Sequence, residues 1–229
     1  MGLIFNAVVG DVPLVQRVWS SSCDATTSFA SAAKASSMIA FARYRGRLTV
    51  HLRGPETRGT SLPCPEGAEF FGVEFRLGAH LPLYPPAGLT DLRDALLPTL
   101  SDGRILLDNR DWEMPTAHNV DVFVNRLVRA GLLIFDPVVD EIRHGERPHG
   151  MSERTAQLRF QRAVGISHRR LARIEQAQHA ARLLTAGRPI ADVVADGGYY
   201  DHPELSRAMR WATGHTPSEL RAGIGFLAL

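Results

Sequence analysis

The sequence has one lysine, two cysteines and no long apolar run. Lys34 is the only lysine of the 229-residue chain, and the other 25 of its 26 basic residues are arginine. Cys23 and Cys64 are too few for a disulfide framework and form no C-x-x-C pair, so we expect two reduced thiols in a cytoplasmic protein. No apolar stretch approaches the ~20 residues that span a bilayer, which predicts no membrane partner.

The near absence of lysine has two explanations. One is a GC-rich genome, and the other is phosphate and base recognition, for which the guanidinium fork suits better than an ammonium. The distribution of charge is more informative, because residues 1–140 carry a net charge of −2 and residues 141–229 a net charge of +4. Residues 151–188 alone hold eight arginines against two glutamates, a net charge of +6. Such a segment indicates either a nucleic-acid-binding surface or a solvated helix face.

The first 90 residues have the pattern of β-strands. Short apolar or alternating runs predict strands at Val15–Cys23, Met38–Arg43, Leu48–Leu52 and Phe70–Arg76. A hairpin turn is predicted at residues 45–47. This part of the chain therefore predicts a small antiparallel sheet or an open barrel.

The apolar period lengthens from Asp91 onward, which predicts helices. Leu92, Ala95, Leu96 and Leu100 fall on one face of a first helix. A second predicted helix runs from about His118 to Leu133, with its apolar face formed by Val122, Phe123, Leu127 and Val128. A further helix starts near residue 136, and helices continue to about residue 220. We predict an α+β protein with a β-rich domain at residues 1–110 and a helical domain at residues 111–229.

The helical part contains a first helix-turn-helix motif around residues 151–167. A helix at residues 137–144 precedes it, Ser152 is a candidate N-cap and Gly165 ends the second helix. Ala156, Phe160 and Ala163 can form the buried stripe. The outward side then holds Arg154, Gln157, Arg159, Gln161 and Arg162.

A second motif runs from Ile190 to Gly214, after a linker helix of about Arg169 to Ala186. Gly197 and Gly198 provide the turn, Asp201 is the candidate N-cap, and Glu204 stands at the capping-box position. The side chains predicted to point outward are His202, Ser206, Arg207 and Arg210.

These motifs resemble a known family. SERTAQLRF, AVGIS, AARLLTAGRPIADVVADGGYYDHPELSRAMRW and GHTPSEL, within Ser152–Leu220, resemble the DNA-binding domain of the AraC/XylS transcriptional regulators in order and spacing. Phe70–Asp91 resembles the end of the β-rich sensor domain of one subgroup. The resemblance implies a sequence-specific transcriptional regulator that responds to a small-molecule effector, with a β-rich N-terminal sensor domain followed by an all-α domain with two helix-turn-helix motifs joined by a linker helix. Double-stranded DNA is the implied partner; RNA polymerase and a second copy of the chain are left open, and no cofactor is expected.

We expect DNA contacts from the two outward sets and from Arg169 and Arg170 at the start of the linker helix, because the net charge of +6 over residues 151–188 should place several arginines near phosphate. The chain departs from the usual family pattern at Leu158, Glu204 and Trp211. A carboxylate near phosphate would be repelled, so Glu204 either caps its helix or accepts a hydrogen bond from a cytosine amine.

The aromatic residues of the β-rich part are candidates for an effector pocket or for plain core. The predicted pocket residues are Trp19, Phe41, Tyr44, Phe71 and Phe75. His144 and His149 lack further metal ligands nearby, and no nucleophile has a partner histidine at a recognisable spacing, so we expect neither a metal site nor an enzyme. A second hypothesis remains, namely a small-molecule-binding protein that retains a degenerate DNA-binding half.

Overall fold

The computed structural model describes residues 4–9, 12–92, 95–223 and 227–228. The strands are β1 Ile4–Val9, β2 Val15–Ser22, β3 Thr27–Ser31, β4 Met38–Tyr44, β5 Arg47–Arg53, β6 Thr60–Cys64, β7 Glu69–Phe75, β8 Ala79–His80, β9 Leu96–Leu97, β10 Ile105–Leu107, β11 Arg110–Trp112, β12 Ile134–Phe135 and β13 Leu227–Ala228. The helices are α1 Pro86–Leu89, α2 Val120–Arg129, α3 Val138–Arg143, α4 Glu153–Val164, α5 His168–Thr185, α6 Ile190–Asp196, α7 His202–Thr213 and α8 Pro217–Arg221. The α+β fold class, with a β-rich part followed by helices, is confirmed.

Most of the N-terminal part is an antiparallel sheet of six strands in the order β1-β2-β7-β4-β5-β9. Strands β2, β4, β5 and β7 confirm the four strands predicted from the sequence. The β4–β5 hairpin turns at Arg45 and Gly46, which both have positive φ, at 49° and 74°. Two consecutive left-handed residues match the right-handed twist of the strands that they join. A second sheet has the order β13-β3-β6.

The two faces of the large sheet have different neighbours. Side chains alternate along a strand, so Ile39 of β4 points to one face while Met38 and Ala40 point to the other. Ile39, with Val73 and Phe75 of β7, belongs to a buried cluster that includes Phe123 and Leu127 of α2. Helix α2 thus shares its core with the sheet, and the division into domains at residue 110 stays a prediction.

Three sequence-based expectations are wrong in this region. The helix predicted from Asp91 does not form: a turn leads into β9, which pairs with Val50 and His51, and residues 93 and 94 lie outside the described part. Helix α2 is shorter than predicted, and Val122 and Val128 are exposed while Val120 and Val124 are buried.

The third wrong expectation concerns the thiols. Cys23 and Cys64 are joined by a disulfide, with Cα atoms 6.1 Å apart. The pairing follows from the topology, since β6 ends at Cys64 opposite Thr27 of β3, and the Cys23 N–H bonds to the Ala68 carbonyl.

The helices of the C-terminal part begin and end where the sequence predicts. Ser152, Ser167 and Asp201 each accept a hydrogen bond from a backbone N–H in the first turn of α4, α5 and α7. Gly165 and Gly214 end α4 and α7 in the left-handed conformation. Local side-chain and glycine signals therefore set these boundaries. No helix in the described residues is long and apolar enough to cross a membrane.

The β-rich part docks directly on helices α5 and α7. The Ala33 N–H donates to the Ala212 carbonyl at 2.7 Å, and Gln178 of α5 donates to the Ala33 carbonyl at 2.8 Å. The Gly59 N–H donates to the Trp211 carbonyl at 2.9 Å. A Cβ at residue 59 would lie 2.6 Å from the Thr213 carbonyl carbon, so this approach requires glycine.

Candidate nucleic-acid interface and effector cavity

Helix α4 has one buried and one exposed side, as expected for the second helix of a helix-turn-helix motif. Ala156, Phe160 and Ala163 are buried, and this stripe packs into the core of the helical part. Arg154, Gln157, Gln161 and Arg162 are exposed. The structure thus brings four of the five predicted contact residues of this motif to the solvent side of one helix.

Arg159 is the exception on α4, because it is already bound to a carboxylate. Its Nε and Nη2 atoms donate to the two carboxylate oxygens of Asp136 at 2.9 and 2.8 Å. This paired arrangement holds the pKa of the Arg159 guanidinium above its usual value. Asp136 also accepts from the Val138 N–H, so it ties α4 to the start of α3. A base contact by Arg159, which stays a prediction, requires this pair to open.

The start of α7 shows what Glu204 does. Its own N–H donates to Asp201 at 2.7 Å, and its carboxylate accepts from the Tyr200 N–H at 2.7 Å. The sequence left two roles open for Glu204, capping its helix or accepting from a cytosine amine. The structure shows capping, because its carboxylate accepts from the backbone N–H of Tyr200, the residue before the N-cap. His202, Arg207 and Arg210 are exposed, and Ser206 is half-buried.

The start of α5 holds exposed arginines next to the junction with the β-rich part. Arg169 is exposed, whereas Arg170 donates to the Thr57 hydroxyl at 2.9 Å. The Thr57 hydroxyl in turn donates to Asp91 at 2.7 Å. The guanidinium groups of Arg170 and Arg173 lie 5.9 and 5.1 Å from the ring centre of Trp211. Trp211 thus packs beneath two arginines, a contact that no sequence motif indicates.

A cavity of about 370 Å³ lies between the large sheet and the second sheet, at its strands β3 and β6. Its apolar wall includes Met38 and Ala40 on β4, Phe29 on β3 and Leu62 on β6. This size is within the range of small-molecule pockets. Trp19 also lines the cavity, and its indole lies over Gly72, where a Cβ would come within 2.2 Å of the ring.

Only some of the five aromatic residues predicted for an effector pocket line this cavity. Trp19 and Phe41 line the cavity. Phe71 packs beside Phe41, with ring centres 5.9 Å apart, and Phe75 is buried in the core. Tyr44, at the end of β4, lies beneath the Arg45 guanidinium and does not line the cavity.

One end of the cavity is strongly polar, which sequence reasoning missed. Arg53 and Ser31 both donate to the buried carboxylate of Glu56, from 3.0 and 3.1 Å. Burial opposes the ionisation of Glu56, but Lys34, Arg53 and the hydrogen bonds outweigh it and hold its pKa below the usual value.

A second buried carboxylate, Glu74, is also influenced by the charge of Lys34. Arg17 donates to Glu74 at 3.0 and 2.6 Å. Burial again opposes ionisation, and the charges of Lys34 and Arg17 again lower the pKa of Glu74. The charge of the single lysine of the chain therefore favours the ionised form of both carboxylates.

Comparison with known proteins agrees with the geometry of the helical part. The family model described as a helix-turn-helix domain matches residues 148–223. No curated protein matches the chain. The 1.65 Å structure of ToxT from Vibrio cholerae is 12% identical over 97% of this chain and 98% of that chain, with a TM-score of 0.40. ToxT from Vibrio cholerae O395 bound to (E)-4-(8-methylnaphthalen-1-yl)but-3-enoic acid is 11% identical over 97% and 99%, also with a TM-score of 0.40. Similarity this low carries no argument about this chain.

The match and the two helix pairs, α3–α4 and α6–α7, define a class of domain. The C-terminal third of the chain is a helix-turn-helix domain, the module with which many proteins bind DNA. This part of the chain is similar to the helix-turn-helix domains of the AraC type.

Proposed function

We propose that the chain binds a specific DNA site through both helix-turn-helix motifs and responds to a small amphipathic effector in the N-terminal cavity. The DNA part rests on one observation: the capped helices α4 and α7, which both pack on the linker helix α5, expose arginine side chains. With 18 residues, α5 spans ~27 Å at 1.5 Å per residue. That is close to the ~34 Å of one DNA turn. One chain can then read two successive major-groove segments of an asymmetric site.

The salt dependence of DNA affinity tests this proposal. Each phosphate neutralised on B-DNA contributes about −0.9 to the slope of log K against log salt, so six to eight contacts predict a slope of about −5 to −7. Arg169→Ala should flatten the slope by about one unit, since it removes one phosphate contact. Arg207→Ala should change sequence preference more than slope. Arg104→Ala removes an exposed arginine of the β-rich part, which pairs with Asp111, and serves as the control.

The measurement is a titration of wild type and variants on one specific and one scrambled duplex. Equal slopes for all variants would reject DNA contact through both motifs. Specific binding no tighter than scrambled binding would favour the second hypothesis, a small-molecule-binding protein with a degenerate DNA-binding half.

The effector part rests on the shape and chemistry of the cavity. Its walls are apolar between the two sheets, while Arg17, Lys34, Arg53 and Glu56 also line it. An occupant with an apolar body and a polar head suits both ends. Ser31 and Lys34 line the cavity, and Ala33 between them bonds to α5 and α7, so an occupant has a short route to the DNA-binding helices.

Gly72→Ala tests the cavity without touching the DNA-binding helices. The added methyl displaces the Trp19 indole, because the ring already fills that space. We expect loss of the thermal stabilisation given by amphipathic compounds and an unchanged affinity for DNA in their absence. Trp19→Ala, which enlarges the cavity instead, is a second variant in case the first folds poorly. Stabilisation of both variants equal to that of wild type would place the effector elsewhere.

A further inference from the structure

Two large apolar side chains of the region that holds both helix-turn-helix motifs are exposed to solvent. Among the described residues 138–223 they are Leu158, at 55%, and Tyr200, at 92%. The other large apolar side chains of this range are buried or partly covered. The two exceptions lie one on each helix-turn-helix motif, on or next to the helices of the proposed DNA-binding surface.

Leu158 lies at the centre of the exposed side of α4. Arg154 and Arg162 stand one helical turn before and after it, and Gln161 shares the same side; all three are exposed. The stripe formed by Ala156 and Phe160 faces the core instead. An apolar side chain between two arginines suits a base edge in a groove that is bordered by two phosphate backbones. The arginines can reach the phosphates while the leucine enters the groove.

Tyr200 lies directly before the N-cap of α7. Its backbone N–H is held by the Glu204 carboxylate at 2.7 Å, which fixes the chain at this point while the ring is exposed. Its neighbour Tyr199 is buried, so exposure is specific to the second tyrosine. In helix-turn-helix motifs the N-terminal residues of the second helix contact base edges.

We propose that Leu158 and Tyr200 read the 5-methyl groups of thymines in the major groove, one at each motif. Thymine alone among the four bases presents a methyl group there, and apolar side chains recognise it by contact. The inference rests on the proposed DNA binding. It predicts a site with a thymine in each of its two groove segments.

Replacing thymine by uracil removes that methyl and leaves base pairing intact. A site is first selected from random duplexes with the full chain, and each thymine is then replaced singly by uracil. At one position in each segment we expect affinity to fall roughly three- to fivefold, as for loss of one buried methyl group. Leu158→Ala should lower affinity for thymine DNA by a similar factor and should be insensitive to uracil at the position that it reads. Tyr200→Ala should behave in the same way at the other segment.

Val122→Ala is the matched control, because Val122 is as exposed as Leu158 but lies on α2, outside both helix-turn-helix motifs. It should leave both affinities unchanged. If Leu158→Ala and Tyr200→Ala weaken thymine and uracil DNA equally, these side chains do not contact a methyl group and the inference is overturned. A selected site that tolerates uracil at every position also overturns it while leaving the proposed function standing. Failure to select any site would overturn both.

Discussion

Tyr199→Phe should stabilise the protein, although it only removes one oxygen. The Tyr199 hydroxyl is buried and has no hydrogen-bond partner among the described residues. The ring packs in the core of the helical part, where phenylalanine fills the same space. A buried polar group without a partner costs ~1–3 kcal/mol, and part of this is recovered on substitution, so the free energy of unfolding should rise by about 1 kcal/mol. That corresponds to a melting temperature about 2–4 °C higher for a chain of this size.

The pH dependence of stability is a second test of the buried Tyr199 hydroxyl. Burial, together with the charge of Glu204, raises the pKa of Tyr199 to about 12. The unfolded tyrosine ionises near pH 10, as model peptides do. Between these values the unfolded chain loses a proton that the folded chain keeps, so wild-type stability falls as the pH rises from about 10 to about 12. The advantage of Tyr199→Phe should widen over that interval.

Urea unfolding of the full chain, followed by circular dichroism at neutral and alkaline pH, measures both effects. Tyr200→Phe is the matched control, because the neighbouring hydroxyl is exposed and its loss should be neutral. A Tyr199→Phe protein less stable than wild type would show that the hydroxyl is bonded in solution and would refute the reasoning.

The same unfolding assay checks two further predictions. Phe160→Ala should lower the free energy of unfolding by ~3–5 kcal/mol, because the ring is buried in the helical core and packs edge-on to His168, with ring centres 5.5 Å apart. Gln161→Ala, on the exposed side of the same helix, is the control. A loss of stability below 1 kcal/mol for Phe160→Ala would contradict the packing. Asp201→Ala removes the hydrogen bond to the Glu204 N–H and should cost ~0.5–2 kcal/mol, whereas Asp201→Asn should retain most of it. An equal loss in both Asp201 variants would show that charge, and not capping, matters there.

The helical part could be predicted well because its signals are local. The caps Ser152 and Asp201 and the buried stripe of α4 depend on residues within four positions of each other. The helix predicted at Leu92–Leu100 fails for the opposite reason. Its apolar spacing fits a helix, but Leu96 and Leu97 pair with β5, more than 40 residues earlier in the chain. Local periodicity has no information about such a partner.

The effector cavity could be predicted only in part. Aromatic content pointed to Trp19 and Phe41, which line the cavity, but equally to Phe75, which is buried in the core, because composition does not say where in the sheet a residue lies. The polar end of the cavity could not be predicted from the sequence at all. Lys34 and Glu56 are far apart in the sequence and meet only because an isolated β-bridge pairs them.

Arg170 shows why exposed charge in a basic segment does not define a DNA contact by itself. It was predicted to meet phosphate from its place among eight arginines. In the structure it bonds to Thr57, 113 residues away, and lies over Trp211. Arg169 beside it is exposed. The two arginines contribute equally to the net charge, yet one of them already donates a hydrogen bond to the β-rich part. The charge of the segment alone therefore does not say which of its arginines are available to a phosphate.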